Sequence, residues 1–115
     1  MFLHKVSDKQ LLIWVTSMIE ILSIEHDVIY ALKTSLCFFK SNYQEKFNFI
    51  IKKIESGFSF YKACCLSNIF PKYCLDFFKI NEDNGDLKNG LVDLKNFLSW
   101  RVEQKSKLTN SMIYP

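Results

Sequence analysis

The side chains best suited to metal binding or nucleophilic chemistry are cysteines and histidines spread along the chain. They are Cys37, Cys64, Cys65, Cys74, His4 and His26. The cysteines form no C-x-x-C pair and the histidines are distant from them in sequence, so the spacing predicts no zinc site. Each cysteine has apolar neighbours, which predicts buried, reduced thiols that pack as small hydrophobic groups. Such usage of cysteine is typical of a cytosolic protein.

An acidic segment containing Glu82, Asp83 and Asp86 is a second candidate, because hard cations such as Ca²⁺ bind clustered oxygens. The segment does not fit an EF-hand loop. With Gly85 at the sixth loop position, the first position falls on Ile80, whose side chain cannot coordinate a cation. The pattern favours a helix end with solvated carboxylates, and we expect no metal and no cofactor.

No catalytic constellation is evident in the sequence. His26 has neither a nucleophile nor an orienting group beside it, and the adjacent Asp27 is explained as a helix cap. The glycines, at positions 57, 85 and 90, are too far apart to form a phosphate-binding loop. We therefore expect no catalytic residue and no ATPase activity. A small helical enzyme with a polar pocket around His26 or Cys74 is a competing hypothesis.

The composition predicts one globular domain over residues 1–115. Hydrophobic residues make up 49% of the chain, with three Gly and two Pro, which is too apolar and too poor in breakers for disorder. The 15 Lys and Arg are interspersed with 12 Asp and Glu, whereas DNA-binding domains concentrate positive charge on one face. We expect no nucleic-acid partner, and a soluble helical DNA-binding or regulatory module is the alternative hypothesis.

The N-terminal residues do not resemble a signal peptide, because His4, Lys5 and Asp8 interrupt any apolar run. No segment approaches the roughly 18 uninterrupted apolar residues that span a bilayer. The sequence therefore predicts a soluble piece that begins in the cytosol. The short run at residues 1–3 is interpreted either as a docking arm for a partner or as a frayed end.

Helix start and stop signals predict an all-α bundle of six helices and no strand. The predicted caps or first-turn residues are Ser7, Asp27, Asn42, Ser59, Pro71 and Asp86. The first five helices are predicted to end near Ile24, Lys40 and Ser41, Gly57, Cys65 and Gly85, and the sixth to leave the core after Trp100. Ser7 with Gln10 three residues later is typical of a capping box.

The first predicted helix is apolar almost all the way round. Ile13, Trp14 and Ile21 lie outside its main apolar stripe, so the helix is either central in the bundle or shared with a partner. We select these three residues, together with Glu82, as the candidate interface. Aromatic residues at helical spacing, including Trp14 and Trp100, are also expected in the core, so both a core and an interface position stay open for Trp14.

The order and spacing of these residues resemble the cytoplasmic domain of the type II secretion F family, the polytopic inner-membrane platform proteins of type II secretion systems and type IV pili. The likeness runs from about Gln10 to Pro115. The matching positions are Ala31, Leu32, Gly57, Ser59, Ala63, Phe70, Pro71, Glu82, Gly85, Leu87, Tyr114 and Pro115. The family's turn reads Gly-Glu-x-x-Gly-x-Leu, and here Asn81 stands in place of its first Gly. The family's Gly and Pro before the second helix are likewise replaced, by residues 25–27.

The resemblance implies a non-catalytic adaptor on the cytoplasmic side of the bacterial inner membrane, as the N-terminal part of a longer protein whose membrane segments follow Pro115. The implied partners are a hexameric assembly ATPase, other inner-membrane assembly proteins, pilin or pseudopilin, and a second copy in a homodimer. The frequent use of Lys, Asn, Ile and Phe in this chain is similar to that in proteins of type IVb pilus systems. Arg101, Lys105 and Lys107 agree with the positive-inside rule for a cytoplasmic flank.

Overall fold

Six α-helices and one 3₁₀ turn lie between residues 4 and 113, and no strand occurs in this range. The computed structural model describes residues 4–113, with side chains described as far as residue 109. The helices are α1 (Asp8–Ile24), α2 (Val28–Thr34), α3 (Ser41–Glu55), α4 (Phe60–Ser67), α5 (Lys72–Asp83) and α6 (Leu87–Ile113), and the 3₁₀ turn (Ser35–Phe38) follows α2. The predicted all-α bundle is confirmed. The predictions for residues 1–3, Tyr114 and Pro115 fall outside the described residues.

Four of the predicted N-terminal caps are formed by the side chains selected from the sequence, the fourth being Asp86 at the start of α6. Ser7, Asp27 and Ser59 accept hydrogen bonds from backbone N–H groups in the first turns of α1, α2 and α4. The capping box at Ser7 is incomplete, because the side-chain amide of Gln10 donates instead to the carbonyl of Phe38. Gln10 therefore joins α1 to the 3₁₀ turn.

The connection between α2 and α3 differs from the prediction. The α-helical pattern was expected to continue to Lys40, but α2 ends at Thr34 and the chain tightens into the 3₁₀ turn. Helix α3 then begins at Ser41, one residue before the predicted cap. The side chain of Asn42 accepts only from the N–H of the next residue, Tyr43, at 2.9 Å.

Three helix ends adopt the left-handed backbone conformation. Gly57 has φ +107° and Gly85 has φ +70°, as expected for glycines that follow a helix. Asn68 has φ +63° and ends α4 two residues beyond the predicted position near Cys65. The sequence interpretation missed Asn68, although asparagine is the residue that most often replaces glycine at such an end.

An aromatic cluster fills the centre of the bundle. The indole of Trp14 lies 5.2 Å from the ring centroid of Phe47 and 5.5 Å from that of Phe70. Trp14 is completely buried, and its Nε1–H donates to the hydroxyl of Ser35 at 3.1 Å. The assignment of Trp14 to the candidate interface was therefore wrong. Its side of α1 is enclosed by α3, α5 and the segment before α5.

Helix α1 packs most extensively against α6, through apolar stripes on both helices. The buried stripe residues are Leu11, Val15, Met18 and Leu22 on α1 and Leu91, Leu94 and Leu98 on α6. Beyond Leu98 the described side chains of α6 are exposed or half-buried. The second part of α6 therefore leaves the core, as the sequence predicts.

Candidate functional site

A cluster of ionisable side chains surrounds Asp8, the first residue of α1. The Asp8 carboxylate is buried and accepts hydrogen bonds from the Tyr73 hydroxyl, from Arg101 Nε at 3.0 Å and from Lys105 Nζ at 2.7 Å. Tyr73 lies on α5, and the two cations lie one turn apart on α6. Three helices therefore meet at one carboxylate.

The charges of this cluster reinforce one another. Burial raises the pKa of the Asp8 carboxyl, but hydrogen bonds from Lys105, Tyr73 and Arg101 outweigh that effect and hold the pKa below its ordinary value. Burial, and then the bond that it donates to Asp8, raise the pKa of Tyr73. The guanidinium of Arg101 also lies 4.6 Å from the centroid of the Tyr73 ring. The cluster is therefore an ion pair at neutral pH, with a neutral tyrosine as an additional donor.

The neighbouring thiol is unreactive. Burial raises the pKa of Cys74 to about 12, so it is protonated at neutral pH. Around Asp8, therefore, the charges are fixed at neutral pH instead of being poised for proton transfer. The arrangement is suited to joining helices.

The other cysteines and histidines are dispersed over the fold. Cys64 is completely buried and Cys65 is half-buried, whereas Cys37 is exposed on the 3₁₀ turn, which corrects the prediction of a buried thiol there. His26 is exposed between α1 and α2. Within the part of the chain that the structure describes, no three His, Cys, Asp or Glu side chains group together as a metal site.

Two carboxylates of the acidic segment cap helices. Glu82 Oε2 accepts from the backbone N–H of Tyr61 at 2.8 Å, so a side chain of α5 caps the start of α4. Asp86 Oδ1 accepts from the N–H of Asn89 at 3.2 Å in the first turn of α6. Glu82 is half-buried, so the expectation of solvated carboxylates was wrong for this residue. Its role as a partner contact stays a prediction.

We expect Glu82→Ala to lower the free energy of unfolding by about 1 kcal/mol, because the N–H of Tyr61 loses its acceptor. Glu82→Gln keeps an acceptor oxygen and should lower it by less. Urea unfolding followed by circular dichroism measures both changes. Equal stability of the alanine variant and the unmodified chain would contradict the capping role.

Residues 81 and 90 make a close contact between α5 and α6. Asn81 is buried, and its side-chain amide donates to the carbonyl of Phe77 at 2.7 Å. A Cβ atom built on Gly90 would lie 2.3 Å from Asn81 Cγ, well inside the contact distance. Gly90 therefore leaves the space that Asn81 fills. The sequence interpretation did not single out Gly90, since nothing local to it marks a close contact.

The remaining residues that carry the family resemblance have identifiable positions in the bundle. Ala31, Leu32, Ala63 and Phe70 are buried, and Leu87 is half-buried. Pro71 directly precedes α5 and serves as its N-terminal cap residue. Residues 31, 32, 63 and 70 therefore lie in the core.

Other apolar side chains remain exposed. Ile13 of the candidate interface is 50% exposed, and Ile21 is half-buried. Trp100 is 56% exposed, which corrects its assignment to the core, and its ring stacks on Phe97 with centroids 6.1 Å apart. Phe38 lies beside Ile13 along a shallow cleft of α1. Part of the apolar surface that runs almost all the way round α1 therefore remains exposed.

The chain was also compared with known proteins. No protein-family model matches it, and no curated protein matches it significantly. None of the helices in the described part of the chain is long and apolar enough to cross a membrane. A functional proposal therefore depends on the residues that carry the resemblance and on the geometry around them.

Proposed function

We propose that the chain is the cytoplasmic domain of an inner-membrane platform protein for type IV pilus assembly or type II secretion. It acts as a non-catalytic adaptor that couples an assembly ATPase to the polymerisation of pilin or pseudopilin. The observation that supports this proposal is that residues carrying the resemblance lie at the joints of the bundle. Gly57 and Gly85 end helices with positive φ, and Glu82 joins α5 to α4.

Such joints suit an adaptor because force passes between elements only where they are connected. Glu82 belongs to the same turn as Gly85, so α4, α5 and α6 meet within a few residues. The cluster at Asp8 connects the same α5 and α6 to α1. A displacement applied to one helix is therefore passed on to its neighbours.

The course of α6 also supports a position beneath a membrane. Beyond Leu98 the helix continues to Ile113, and the eight residues after Lys105, the last described contact with another helix, extend about 12 Å at 1.5 Å per residue. The part beyond Leu98 contains Arg101, Lys105 and Lys107, in agreement with the excess of cations on cytoplasmic flanks. It would separate the bundle from membrane segments that follow Pro115.

The exposed apolar surface of α1 supports self-association. Ile13 lies with Phe38 and the half-buried Leu12 on one side of the bundle. Exposed apolar surface of this kind is typical of an interaction site. We propose that a second copy covers it in a homodimer, and that the ATPase and the other inner-membrane assembly proteins contact other faces.

The alternative, a DNA-binding module, has less support from the surface charges. Lys107 lies 3.3 Å from Glu103, and Lys72 lies 3.9 Å from Asp76, so exposed cations stand beside acids. Phosphate recognition requires cations that are free to replace counterions. This mixture of charges favours the platform role.

Deleting the gene in its source bacterium, with and without complementation, tests the proposal. We expect deletion to abolish surface pili or secretion, as counted by electron microscopy or measured in culture supernatants. Intact pili and secretion would refute the platform role. Binding of the purified chain to duplex DNA with a steep salt dependence would favour the alternative.

The homodimer is tested with a matched pair of variants. Ile13→Asp places a charge on the candidate interface, whereas Ile80→Asp makes the same change at a 59% exposed position on α5. We expect the first variant to shift the chain to monomer in sedimentation velocity runs and the second to behave as the unmodified chain. Equal behaviour of both variants would remove Ile13 from the interface.

A further inference from the structure

In the distal segment of α6, residues 99–113, the described side chains, those of residues 99–109, have little apolar attachment to the bundle. Leu98 is completely buried and is the last buried apolar residue of α6 among the side chains that the structure describes. Residues 103 and 105–109 are exposed, while Arg101, Val102 and Gln104 are half-buried. Hydrophobic packing that fixes the first part of α6 therefore does not extend along residues 99–109.

Polar contacts from the distal segment to the rest of the bundle converge on Asp8. Within the described residues, each hydrogen bond and ion pair from this segment to another helix ends on Asp8 Oδ2. The bond from Thr109 and the ion pair of Lys107 stay inside α6. Arg101 additionally covers the ring of Tyr73.

A cleft separates the two helices beside this contact. It has a volume of about 350 Å³ and lies between the start of α1 and the distal segment. Its lining includes Ser7 and Lys9 on one side and Val102, Ser106 and Thr109 on the other. The segment is therefore attached across a gap by charge pairs instead of by close packing.

We propose that Asp8 is a latch that holds the distal segment of α6 against the bundle, and that opening it frees this segment while the core stays folded. The groups that face Asp8 are Arg101 and Lys105 from α6, Tyr73 and Cys74 from α5, and Lys9 beside it on α1. Without the carboxylate, two cations one turn apart repel each other and have no counter-charge from another helix.

The latch goes beyond the platform role and does not depend on it, because it follows from contacts within the chain. In this proposal α6 has two arrangements, one with its distal segment attached at Asp8 and one with that segment detached from it. An element with two discrete arrangements is what a conformational signal requires. If α6 does continue toward a membrane, its direction relative to the bundle is set by Asp8.

Hydrogen exchange measured by mass spectrometry on the 115-residue chain tests the latch. In Asp8→Asn, we expect amides of residues 101–109 to exchange roughly tenfold faster, while those of residues 47–51 in α3 keep their protection. Lys105→Gln should produce a smaller acceleration in the same segment. The control is Asp76→Asn, which removes an exposed ion pair with Lys72 and should leave α6 unchanged.

A double variant separates the latch from a general loss of stability. If Lys105 acts through Asp8, adding Lys105→Gln to Asp8→Asn should produce no further acceleration. If Asp8→Asn unfolds the core, the exchange rates of Lys105→Gln alone test the latch. The Lys105 side chain is 63% exposed, so its replacement should not disturb packing. Unchanged exchange at residues 101–109 in Lys105→Gln, or equal acceleration in α3 and α6, would overturn the proposal.

Discussion

Trp14→Ala is expected to lower the free energy of unfolding by about 3–5 kcal/mol, the usual cost of removing a large buried aromatic side chain. The indole is completely buried and contacts aromatic rings from three parts of the chain, including Phe47 and Phe70. Its loss also leaves the hydroxyl of Ser35 without its donor partner. Since small domains are stable by about 5–15 kcal/mol, this variant should be close to unfolding.

Urea denaturation followed by circular dichroism at the helix band measures this change without relying on tryptophan fluorescence. Trp100→Ala is the matched control, because Trp100 is 56% exposed and its removal should cost less than about 1 kcal/mol. The loss of unfolding free energy in Trp14→Phe should lie between the losses in these two variants. Similar unfolding midpoints for Trp14→Ala and Trp100→Ala would contradict a central position for Trp14.

Gly90→Ala is expected to destabilise the chain by up to about 2 kcal/mol, because overpacking against Asn81 costs about 1–3 kcal/mol and helix propensity offsets about 1 kcal/mol of it. The added methyl group would lie 2.3 Å from Asn81 Cγ and 2.4 Å from its Cβ, so rotating the asparagine side chain cannot clear both atoms. Alanine is otherwise preferred over glycine inside a helix by about 1 kcal/mol. A net loss of stability at an interior helix position would therefore report the close contact directly.

Removing the Asn81 side chain should reverse the sign of the stability change caused by Gly90→Ala. In a background of Asn81→Gly, which removes the crowding side chain, Gly90→Ala should stabilise the chain by roughly 0.5–1 kcal/mol through helix propensity. A double-mutant cycle of unfolding free energies measures the coupling of the two positions. The contact between α5 and α6 would be disproved by a Gly90→Ala effect that is the same in both backgrounds.

The contacts that Trp14→Ala and Gly90→Ala disturb are also ones that the proposed adaptor role would use. Trp14 links α1 to the aromatic core, and Asn81 with Gly90 sets the distance between α5 and α6. Together with the Asp8 cluster, they keep α1, α5 and α6 in fixed relation. An adaptor that transmits movement needs such connections, and each can be loosened separately.

Features that depend on neighbouring residues were predictable from the sequence. Ser7, Asp27 and Ser59 cap helices through bonds to residues two or three positions ahead, which any stretch of chain can form by itself. Gly57 and Gly85 end helices because glycine adopts positive φ without a steric penalty. Apolar spacing likewise identified the all-α class, because helical periodicity is a local property.

Long-range contacts were decided by the tertiary structure. Asp8 meets Arg101 across 93 positions and Glu82 meets Tyr61 across 21, and no local pattern indicates either pair. Trp100 was placed in the wrong environment and Trp14 was expected both in the core and at the interface, because apolar spacing shows which residues share a helix face and does not show which face is covered. The sequence by itself therefore determined the helices and most of their ends, since these depend on bonds within a turn, whereas the ends of α2 at Thr34 and of α4 at Ser67 were not predicted. The packing of those helices determined which polar side chains meet, which apolar ones stay exposed, and where α6 is held.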